Sequence, residues 1–461
     1  MSKFIINNWL KACFVLLSML VMFGNSFGQT GCEAVPNEIL LDLVNQADLP
    51  AVAAQYGLNP TPLGSVGVPP TYRMQITNGQ TPCQVAAAMQ GDARIFQREV
   101  NRIVKSVEKP GLDWTQGVSW SIGVSWSIGG SAKGFNQQWF PDMIRLPQAH
   151  ITSTGQNVIV AVLDTGIDLN HPAFAGKLVP GYDFVDNDND PSEVGVLHQN
   201  PSYGHGTHVA GIVLLTAPNV KIMPLRVLDS NGEGTLWRIK DAMIFAAQHN
   251  PNNPKVLNMS FGYRENLTPQ SNTFIQDLLG GCDDVEVAGE QQIPEFQGNR
   301  LIVVAAAGNG GQIGNGTTLV YPAAERIETD SNLLSVGAST RYDRLWIYST
   351  MANASSGNGR WVRTVAPGEN IVSTIPGGRY GVWSGTSMAA PVVSGIAALI
   401  KSVNPNITTT VLVNQIEESG FDWDCELPSR NIYMKTARVD AYCAVTGNLN
   451  CYPNERTNCP E

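Results

Sequence analysis

The sequence has 461 residues, of which 43% are hydrophobic and 15% charged, and a net charge of −10 at pH 7. A chain of this length can bury a large core and carry at least one accessory domain. The acidic balance and the lack of a Lys/Arg cluster argue against nucleic acid or an anionic membrane as the main partner.

The N-terminal segment has the order of a secretory signal. Lys3 and Lys11 precede an apolar run over residues 12–23, and small and polar residues lead to Gly28. The run is too short for a comfortable membrane span, and we expect no later span. We therefore predict that residues 1–28 are a signal peptide, and that the mature protein is extracellular with no membrane contact. An uncleaved N-terminal anchor is the alternative.

Seven cysteines follow the predicted signal peptide, and none has the C-x-x-C spacing of a zinc site. An odd number in an exported chain predicts disulfides with one thiol left over. The expected pairing joins neighbours along the chain and leaves Cys282 free: Cys32 with Cys83, Cys425 with Cys443, and Cys451 with Cys459.

Residues 29–107 are predicted to form a small separate α/β domain after the signal. The order β-α-β-β-α-β is that of a ferredoxin-like domain. Strands are predicted over residues 38–44, 71–76 and 95–104 with a weaker one near 63–68, and helices over 48–56 and 82–90.

Residues 108–136 are a Gly/Ser/Trp-rich linker. They contain a tandem copy of six residues, beginning at Gly117 and at Gly123. Its alternation of apolar residues with serine suits an extended strand that docks on the larger domain. A slipped duplication in a tolerant linker is the alternative.

Residues 137–446 have the composition of a large α/β domain. Residues 158–163 and 301–306 are nearly continuous apolar runs, as expected of parallel strands covered on both faces. Helical patterns over 236–248 and 391–403 alternate with such runs. This predicts a doubly wound, mostly parallel sheet, with ligands beyond the carboxyl ends of the strands. Residues 447–461 form a short cysteine-containing tail.

Four polar residues stand where such a sheet would place a site. Asp164 and Asn309 each follow an apolar strand, His205 lies between two glycines before a helix, and Ser387 lies before another helix. Alone, each has an ordinary explanation: a strand-ending aspartate, a turn asparagine or a helix-capping serine. His205 and His208 lack the spacing and the glutamate of H-E-x-x-H, which argues against zinc.

Taken together and in this order, the segments around Asp164, His205, Asn309 and Ser387 resemble the motifs of the subtilisin-like serine proteases, or subtilases. The resemblance covers most of residues 139–445. It implies a triad of Asp164, His205 and Ser387, with Asn309 and the Ser387 N–H binding the oxyanion. The implied substrate-binding residues are Gly232, Gly234, Ser260, Gly262, Ala307 and Gly308.

The resemblance implies a monomeric protease that acts on proteins and peptides. It also gives the first domain a role as a propeptide, which assists folding and inhibits its own enzyme until it is cut within residues 106–136. A catalytically silent surface or binding protein of the same fold is one alternative. The other is a metallohydrolase that uses His205, His208 and an acidic loop.

That acidic loop follows Tyr182 and predicts a structural calcium ion. Four carboxylates in one loop are costly without a cation, and oxygen ligands suit Ca²⁺. The loop also resembles a calcium loop of thermostable subtilases, and a solvated acidic turn is the alternative. The predicted ligands are Asp183, Asp186, Asp188 and Asp190.

Overall fold

The computed structural model describes residues 33–106, 132–197, 199–248, 254–264, 301–310, 320–324, 332–350, 361–427, 432–449, 451–452 and 457–458. The predictions for the signal peptide, the tandem copy and Cys282 lie outside these residues.

The first unit, residues 33–106, has the predicted β-α-β-β-α-β order. Its elements are β1 (Ala34–Leu43), α1 (Leu49–Tyr56), β2 (Gly64–Val66), β3 (Thr71–Gln75), α2 (Pro82–Ala88) and β4 (Ile95–Ser106). The four strands run antiparallel in the order β2-β3-β1-β4. Ile39 and Leu41 of β1 pack in one core with Val52 of α1 and Val85 of α2. β4 extends two residues beyond the predicted strand.

The second unit contains the predicted large sheet. Its strands are β5 (Ile159–Asp164), β6 (Tyr182–Asp183), β7 (Lys221–Arg226), β9 (Val256–Met259), β11 (Ile302–Ala306), β13 (Leu333–Ser339), β14 (Thr364–Pro367), β17 (Phe421–Leu427), β18 (Ile432–Arg438) and β19 (Thr457–Asn458). In the described part of this unit, five further strands lie outside the sheet: β8 (Glu233–Thr235), β10 (Phe261–Arg264), β12 (Val320–Tyr321), β15 (Ile371–Ile375) and β16 (Arg379–Trp383).

Within the described residues, the large sheet has ten strands in the order β19-β17-β18-β14-β13-β11-β9-β5-β7-β6. All neighbours from β18 to β6 are parallel, and β17 is antiparallel to β18. The helices of this unit are α3 (Ala132–Asn136), α4 (Phe140–Met143), α5 (Leu146–Thr152), α6 (His205–Thr216), α7 (Leu236–Gln248), α8 (Thr386–Val403), α9 (Thr409–Glu418) and α10 (Ala441–Thr446).

Helices cover both faces of this sheet, as predicted. Alternate residues of β5 point to opposite faces, because side chains alternate along a strand. Val160 and Val162 pack in one core with α6 and α8, whereas Ala161 and Leu163 pack in a second core with α7. The strands are therefore apolar on both sides, which explains the continuous apolar runs in the sequence.

α8 is the central helix of the first of these cores. It begins at Thr386, five residues before the predicted start, and includes Pro391. Among the described residues it is the one helix long and apolar enough to cross a bilayer, and 89% of that window is buried inside the protein. Burial on all sides accounts for its apolar composition.

The disulfide pairing near the C-terminus differs from the prediction. Cys443 is bonded to Cys451, with their Cα atoms 6.2 Å apart. Gly447 ends α10 in a left-handed conformation, with φ of 68°, so the chain reverses and brings Cys451 back to the helix. The predicted pairs of Cys425 with Cys443 and of Cys451 with Cys459 are therefore wrong. Cys83 is also in a disulfide, and its predicted partner Cys32 lies outside the described residues.

The two units share one sheet and a polar interface. β4 of the first unit pairs antiparallel with β8 and with β10 of the second. Beside it, Lys240 of α7 lies 3.8 Å from the carboxylate of Asp42, and both residues are buried. The Trp237 N–H donates a 3.1 Å hydrogen bond to Asn101 Oδ1. The first unit is thus docked on α7 by buried polar contacts as well as by strand pairing.

Candidate active site

Asp164 and His205 form a buried hydrogen-bonded pair. Asp164 ends β5 and His205 begins α6, and His205 Nδ1 lies 2.6 Å from Asp164 Oδ1. The residue after His205 allows this approach, because a Cβ on Gly206 would lie 2.1 Å from the Gly166 carbonyl oxygen. Steric crowding against the Gly166 carbonyl thus explains why a glycine follows His205 in the sequence.

His208 lies one helical turn after His205 and has a different environment. Its ring stacks on Trp383 with centroids 4.8 Å apart, and its Nε2 lies 3.3 Å from the Gly381 carbonyl oxygen. Burial lowers the pKa of His208 to about 3, and the nearby His205 adds to this shift. His208 is therefore a neutral packing residue at ordinary pH.

Ser387 lies in the first turn of α8 and is fully buried. Its Oγ donates to the Ser260 carbonyl oxygen, and Ser260 Oγ donates to the Ser387 carbonyl oxygen, both at 3.1 Å. Pro391, four residues further on, has no N–H to give that carbonyl its helical hydrogen bond. Ser260 supplies the missing donor, so the proline and Ser260 together explain how this turn is held.

Thr386 connects Ser387 to Asn309. The Asn309 Oδ1 accepts hydrogen bonds from the Thr386 N–H at 2.9 Å and from its hydroxyl at 3.0 Å. The Thr386 hydroxyl oxygen in turn accepts the Gly308 N–H at 3.0 Å. Because Thr386 takes up the carboxamide oxygen, the NH₂ group is the donor that Asn309 has to offer a ligand.

The strand registers bring the Asp164–His205 pair and the segment around Ser387 to one edge of the sheet. Leu163 of β5 and Ala305 of β11 are both paired with Met259 of β9. The residues that follow, Asp164 and Ser260 among them, therefore lie on adjacent strand ends, about 4.8 Å apart from strand to strand. α6 and α8 contact each other where Thr216 lies against Gly395. His205 begins α6 and Ser387 lies in the first turn of α8, at the same edge.

Three of the predicted substrate-binding glycines lie beside a strand of the first unit. Val104 pairs with Gly234, Lys105 with Gly262, and the Ser106 N–H donates to the Gly232 carbonyl at 2.8 Å. The end of β4 thus runs between β8 and β10, next to Ser260.

Ala307 and Gly308 have other contacts. The Ala307 N–H donates to the Val336 carbonyl oxygen at 2.9 Å, and the Gly308 N–H donates to Thr386. These two residues hold the sheet end and Thr386 in place rather than contacting β4.

The acidic loop contains an arginine partner that sequence reasoning missed. Arg226 Nη1 lies 2.5 Å from carboxylate oxygens of both Asp183 and Asp186. Asp183 Oδ1 accepts the N–H groups of Val185 and Asp186 as well. Asp188 and Asp190 are exposed and accept N–H groups within the loop.

This arrangement does not fit a calcium ion. Carboxylates are the right donor chemistry, but two of the four are already paired with the single guanidinium of Arg226. In the described part of the chain, no three His, Cys, Asp or Glu side chains form a group that fits a metal. The sequence feature that could have identified Arg226 is its position at the end of the apolar strand β7.

Glu193 is a second polar residue that sequence reasoning missed. Its carboxylate accepts hydrogen bonds from the hydroxyls of Thr165, which follows Asp164, and Thr207, which lies two residues after His205. Burial raises its pKa to about 7, and the charge of Asp164 contributes a smaller part of the shift. It comes from an irregular loop, so no periodic pattern pointed to it.

Comparison with known proteins places the chain in a family. The model of the subtilase family matches residues 155–447. The chain is 38% identical over 304 residues to the "Thermophilic serine proteinase" of Bacillus sp. (strain AK1), covering 64% of this chain and 62% of that protein. It is 34% identical over 321 residues to thermitase of Thermoactinomyces vulgaris, covering 67% of this chain and 96% of thermitase. The chain therefore spans less than two thirds of the Bacillus proteinase.

The fold has a counterpart among solved structures. The crystal structure of fervidolysin from Fervidobacterium pennivorans, a keratinolytic enzyme related to subtilisin, gives a TM-score of 0.66 at 22% identity. The match covers 92% of this chain and 62% of that chain. It supports the doubly wound fold class predicted from the sequence.

Proposed function

Because the chain belongs to the subtilase family, we propose that it is a serine endopeptidase that cleaves peptide bonds in proteins through Asp164, His205 and Ser387. One observation carries the proposal: the 2.6 Å hydrogen bond between His205 Nδ1 and Asp164 Oδ1, at the sheet edge where Ser387 lies in the first turn of α8. Such a bond fixes the ring tautomer that leaves Nε2 as a base.

Ser387 is a weak nucleophile until a base removes its proton. In the resting arrangement its Oγ donates to Ser260, so the hydroxyl must rotate toward His205 to react. His205 takes the proton as Oγ attacks the substrate carbonyl, and later gives it to the departing amine. The acyl-enzyme is then hydrolysed by water. Asp164 stabilises the imidazolium that forms in each step.

The negative charge on the attacked carbonyl oxygen needs donors in place beforehand. The Asn309 NH₂ group and the Ser387 N–H at the start of α8 supply them, since N–H groups in the first helical turn have no intrahelical acceptor. Thr386 holds the Asn309 carboxamide by its oxygen and is the residue next to Ser387. Donor and nucleophile are thereby linked through one side chain.

The first unit acts as the inhibitory propeptide in this proposal. The end of β4 is the middle strand between β8 and β10, in the manner of an extended peptide added to two open edges. A substrate needs the same edges, so the uncut chain blocks its own cleft. The strand ends at Ser106, at the near limit of the predicted cleavage region 106–136.

Export and a monomeric state complete the proposal. Export is supported by the signal-like order of residues 1–28 and by disulfide bonds in both units. The proposed enzyme includes no calcium ion, because the acidic loop as arranged does not fit one. Calcium binding stays a prediction that chelation can test.

A catalytically silent binding protein remains the alternative from another class. A fluorophosphonate probe, which labels activated serines, distinguishes the two. We expect the secreted wild type to be labelled and to hydrolyse casein, and Ser387→Ala to do neither while keeping its circular dichroism spectrum. The intact mass of Ser387→Ala should also be that of a chain that still carries the first unit. Hydrolysis by Ser387→Ala would refute the assignment of the nucleophile, and a cut Ser387→Ala product would indicate processing by another protease.

A further inference from the structure

Glu193 joins the two segments that carry Asp164 and His205. Thr165 follows Asp164, and its hydroxyl donates to Glu193 Oε1 at 2.6 Å. Thr207 lies two residues after His205, and its hydroxyl and N–H donate to Glu193 Oε2 at 2.8 Å and 3.2 Å. One carboxylate therefore binds the end of β5 and the first turn of α6 at the same time.

The two threonines also cross-connect these segments directly. The Gly206 N–H donates to Thr165 Oγ1 at 3.0 Å, and the Asp168 N–H donates to Thr207 Oγ1 at 2.9 Å. Each hydroxyl oxygen thus accepts a hydrogen bond from an N–H of the opposite segment, and each hydroxyl donates a hydrogen bond to Glu193. A hydroxyl has one proton to donate, so its acceptor decides which way its lone pairs face.

We infer that Glu193 is a positioning residue for the reaction proposed above, and that it sets the approach of Asp164 to His205 by fixing the hydroxyls of Thr165 and Thr207. The inference rests on the proposed function, because it concerns the rate of that reaction. Without an acceptor at this place, neither hydroxyl is held toward the N–H of the other segment. The ends of β5 and α6 then lose their shared hydrogen bonds.

Loss of this bridge should slow turnover more than it weakens substrate binding. Glu193 binds the supports of the Asp–His pair, and β8 and β10, which pair with β4, are elsewhere in the cleft. A displacement of about 1 Å in such a site can cost about 10²-fold in rate. We therefore expect Glu193→Ala to lower kcat by about tenfold to 10²-fold with KM nearly unchanged.

The test compares processed, secreted wild type with Glu193→Ala, Glu193→Gln and Thr165→Val on one peptide substrate. Glutamine keeps the side-chain volume and one acceptor oxygen, which serves one of the two arms, so Glu193→Gln should recover part of the lost kcat. Thr165→Val removes one arm of the bridge and should lower kcat less than Glu193→Ala. These two variants also keep the test informative if Glu193→Ala does not fold.

A buried carboxylate far from the site provides the matched control. Asp440 caps α10 by accepting the Cys443 N–H at 2.9 Å. Asp440→Asn should lower thermal stability and leave kcat unchanged. An unchanged kcat in Glu193→Ala, or an equal loss in Asp440→Asn, would overturn the inference. Wild type that hydrolyses no better than Ser387→Ala would instead refute the proposed function.

Discussion

Ser260 and Ser387 exchange two hydrogen bonds, each hydroxyl donating to the carbonyl oxygen of the other residue at 3.1 Å. The Asn258 NH₂ group donates to Ser260 Oγ, and the Ser394 hydroxyl donates to Asn258 Oδ1, both at 2.9 Å. The turn that carries Ser387 is therefore connected to β9 and, through Asn258, to a later turn of α8 itself.

Ser260→Ala should destabilise the protein because it leaves the buried Ser387 carbonyl without a donor. We expect a loss of about 1–3 kcal/mol in the free energy of unfolding. Pro391→Ala restores an N–H that can bind this carbonyl, so the double variant should be more stable than the two single changes predict. Denaturant unfolding in the inactive Ser387→Ala background measures this coupling. Strictly additive losses would contradict the relationship between proline and serine.

Asn309→Ala should reduce kcat while leaving the fold intact. Removing an oxyanion-hole donor from subtilisin costs about 10²–10³ in turnover, and a loss of that size is expected here. Asn309→Asp is the matched control, because it keeps an oxygen for Thr386 but lacks the amide donor. It should therefore be nearly as slow as Asn309→Ala on peptide substrates. Near-normal kcat in Asn309→Asp would mean that Asn309 acts only through Thr386.

The cleft should prefer a small side chain at the position of Ser106. Ser106 and Ser202 are both buried, and their Oγ atoms are 3.1 Å apart. Two residues earlier, Val104 is fully buried in the core that contains Leu236 and Phe261. Cleavage sites in a peptide library should therefore align with a small residue two positions after an aliphatic one.

Phenylalanine in place of that small residue should lower kcat/KM by about tenfold or more. Ser202→Gly enlarges the space and should reduce this discrimination, while activity on the small-residue peptide remains. Equal kcat/KM for both peptides in the wild type would show that β4 is not a guide to substrate choice.

Acid should destabilise the protein partly through His208. Burial lowers its pKa to about 3, whereas an unfolded histidine titrates near 6.5. Between these two values the unfolded chain binds a proton that the folded chain does not. Stability therefore falls as pH decreases through this range, by up to about 1.4 kcal/mol per pH unit.

The measurement compares Ser387→Ala with Ser387→Ala/His208→Gln, because inactive proteins do not digest themselves during unfolding. The variant without His208 should lose less stability between pH 6.5 and pH 4. Parallel stability curves for the two proteins over this range would disprove the assignment.

Arg226→Gln should lower the melting temperature because it leaves the buried Asp183 without its counter-charge. Removing one partner of a buried ion pair costs about 3–5 kcal/mol. Added Ca²⁺ should raise the melting temperature of this variant more than that of the wild type, since the freed carboxylates can then take a metal.

The calcium ion predicted from the sequence can be tested directly on the wild type. A fall in its melting temperature on EDTA treatment, reversed by Ca²⁺, would show that the wild type binds a stabilising calcium ion.

The residues at strand ends were the most predictable part of the site. Asp164 and Asn309 each follow a continuous apolar run, and such runs mark strands that are covered on both faces. The order of elements in the first unit was equally predictable, because its strands and helices are short, periodic and bounded by turn residues.

Contacts between distant segments were not predictable in this way. Arg226 and Glu193 act on residues far along the chain, and their roles depend on loop paths that no local pattern specifies. The start of α8 was misplaced because Pro391 resembles a first helical residue, although it lies in the helix interior with Ser260 as the replacement donor. The Cys443–Cys451 bond depended on a chain reversal at Gly447.

If the first unit is the inhibitory propeptide proposed above, the pairing of β4 with β8 and β10 determines how inhibition depends on concentration. A strand attached to its own cleft competes at an effective concentration in the millimolar range, whatever the dilution of the protein. Before the chain is cut, dilution therefore cannot release activity. After the cut, the first unit becomes a separate molecule, and its occupancy of the cleft follows its own dissociation constant. Processing would thus convert a dilution-independent block into one that weakens as the secreted protein disperses.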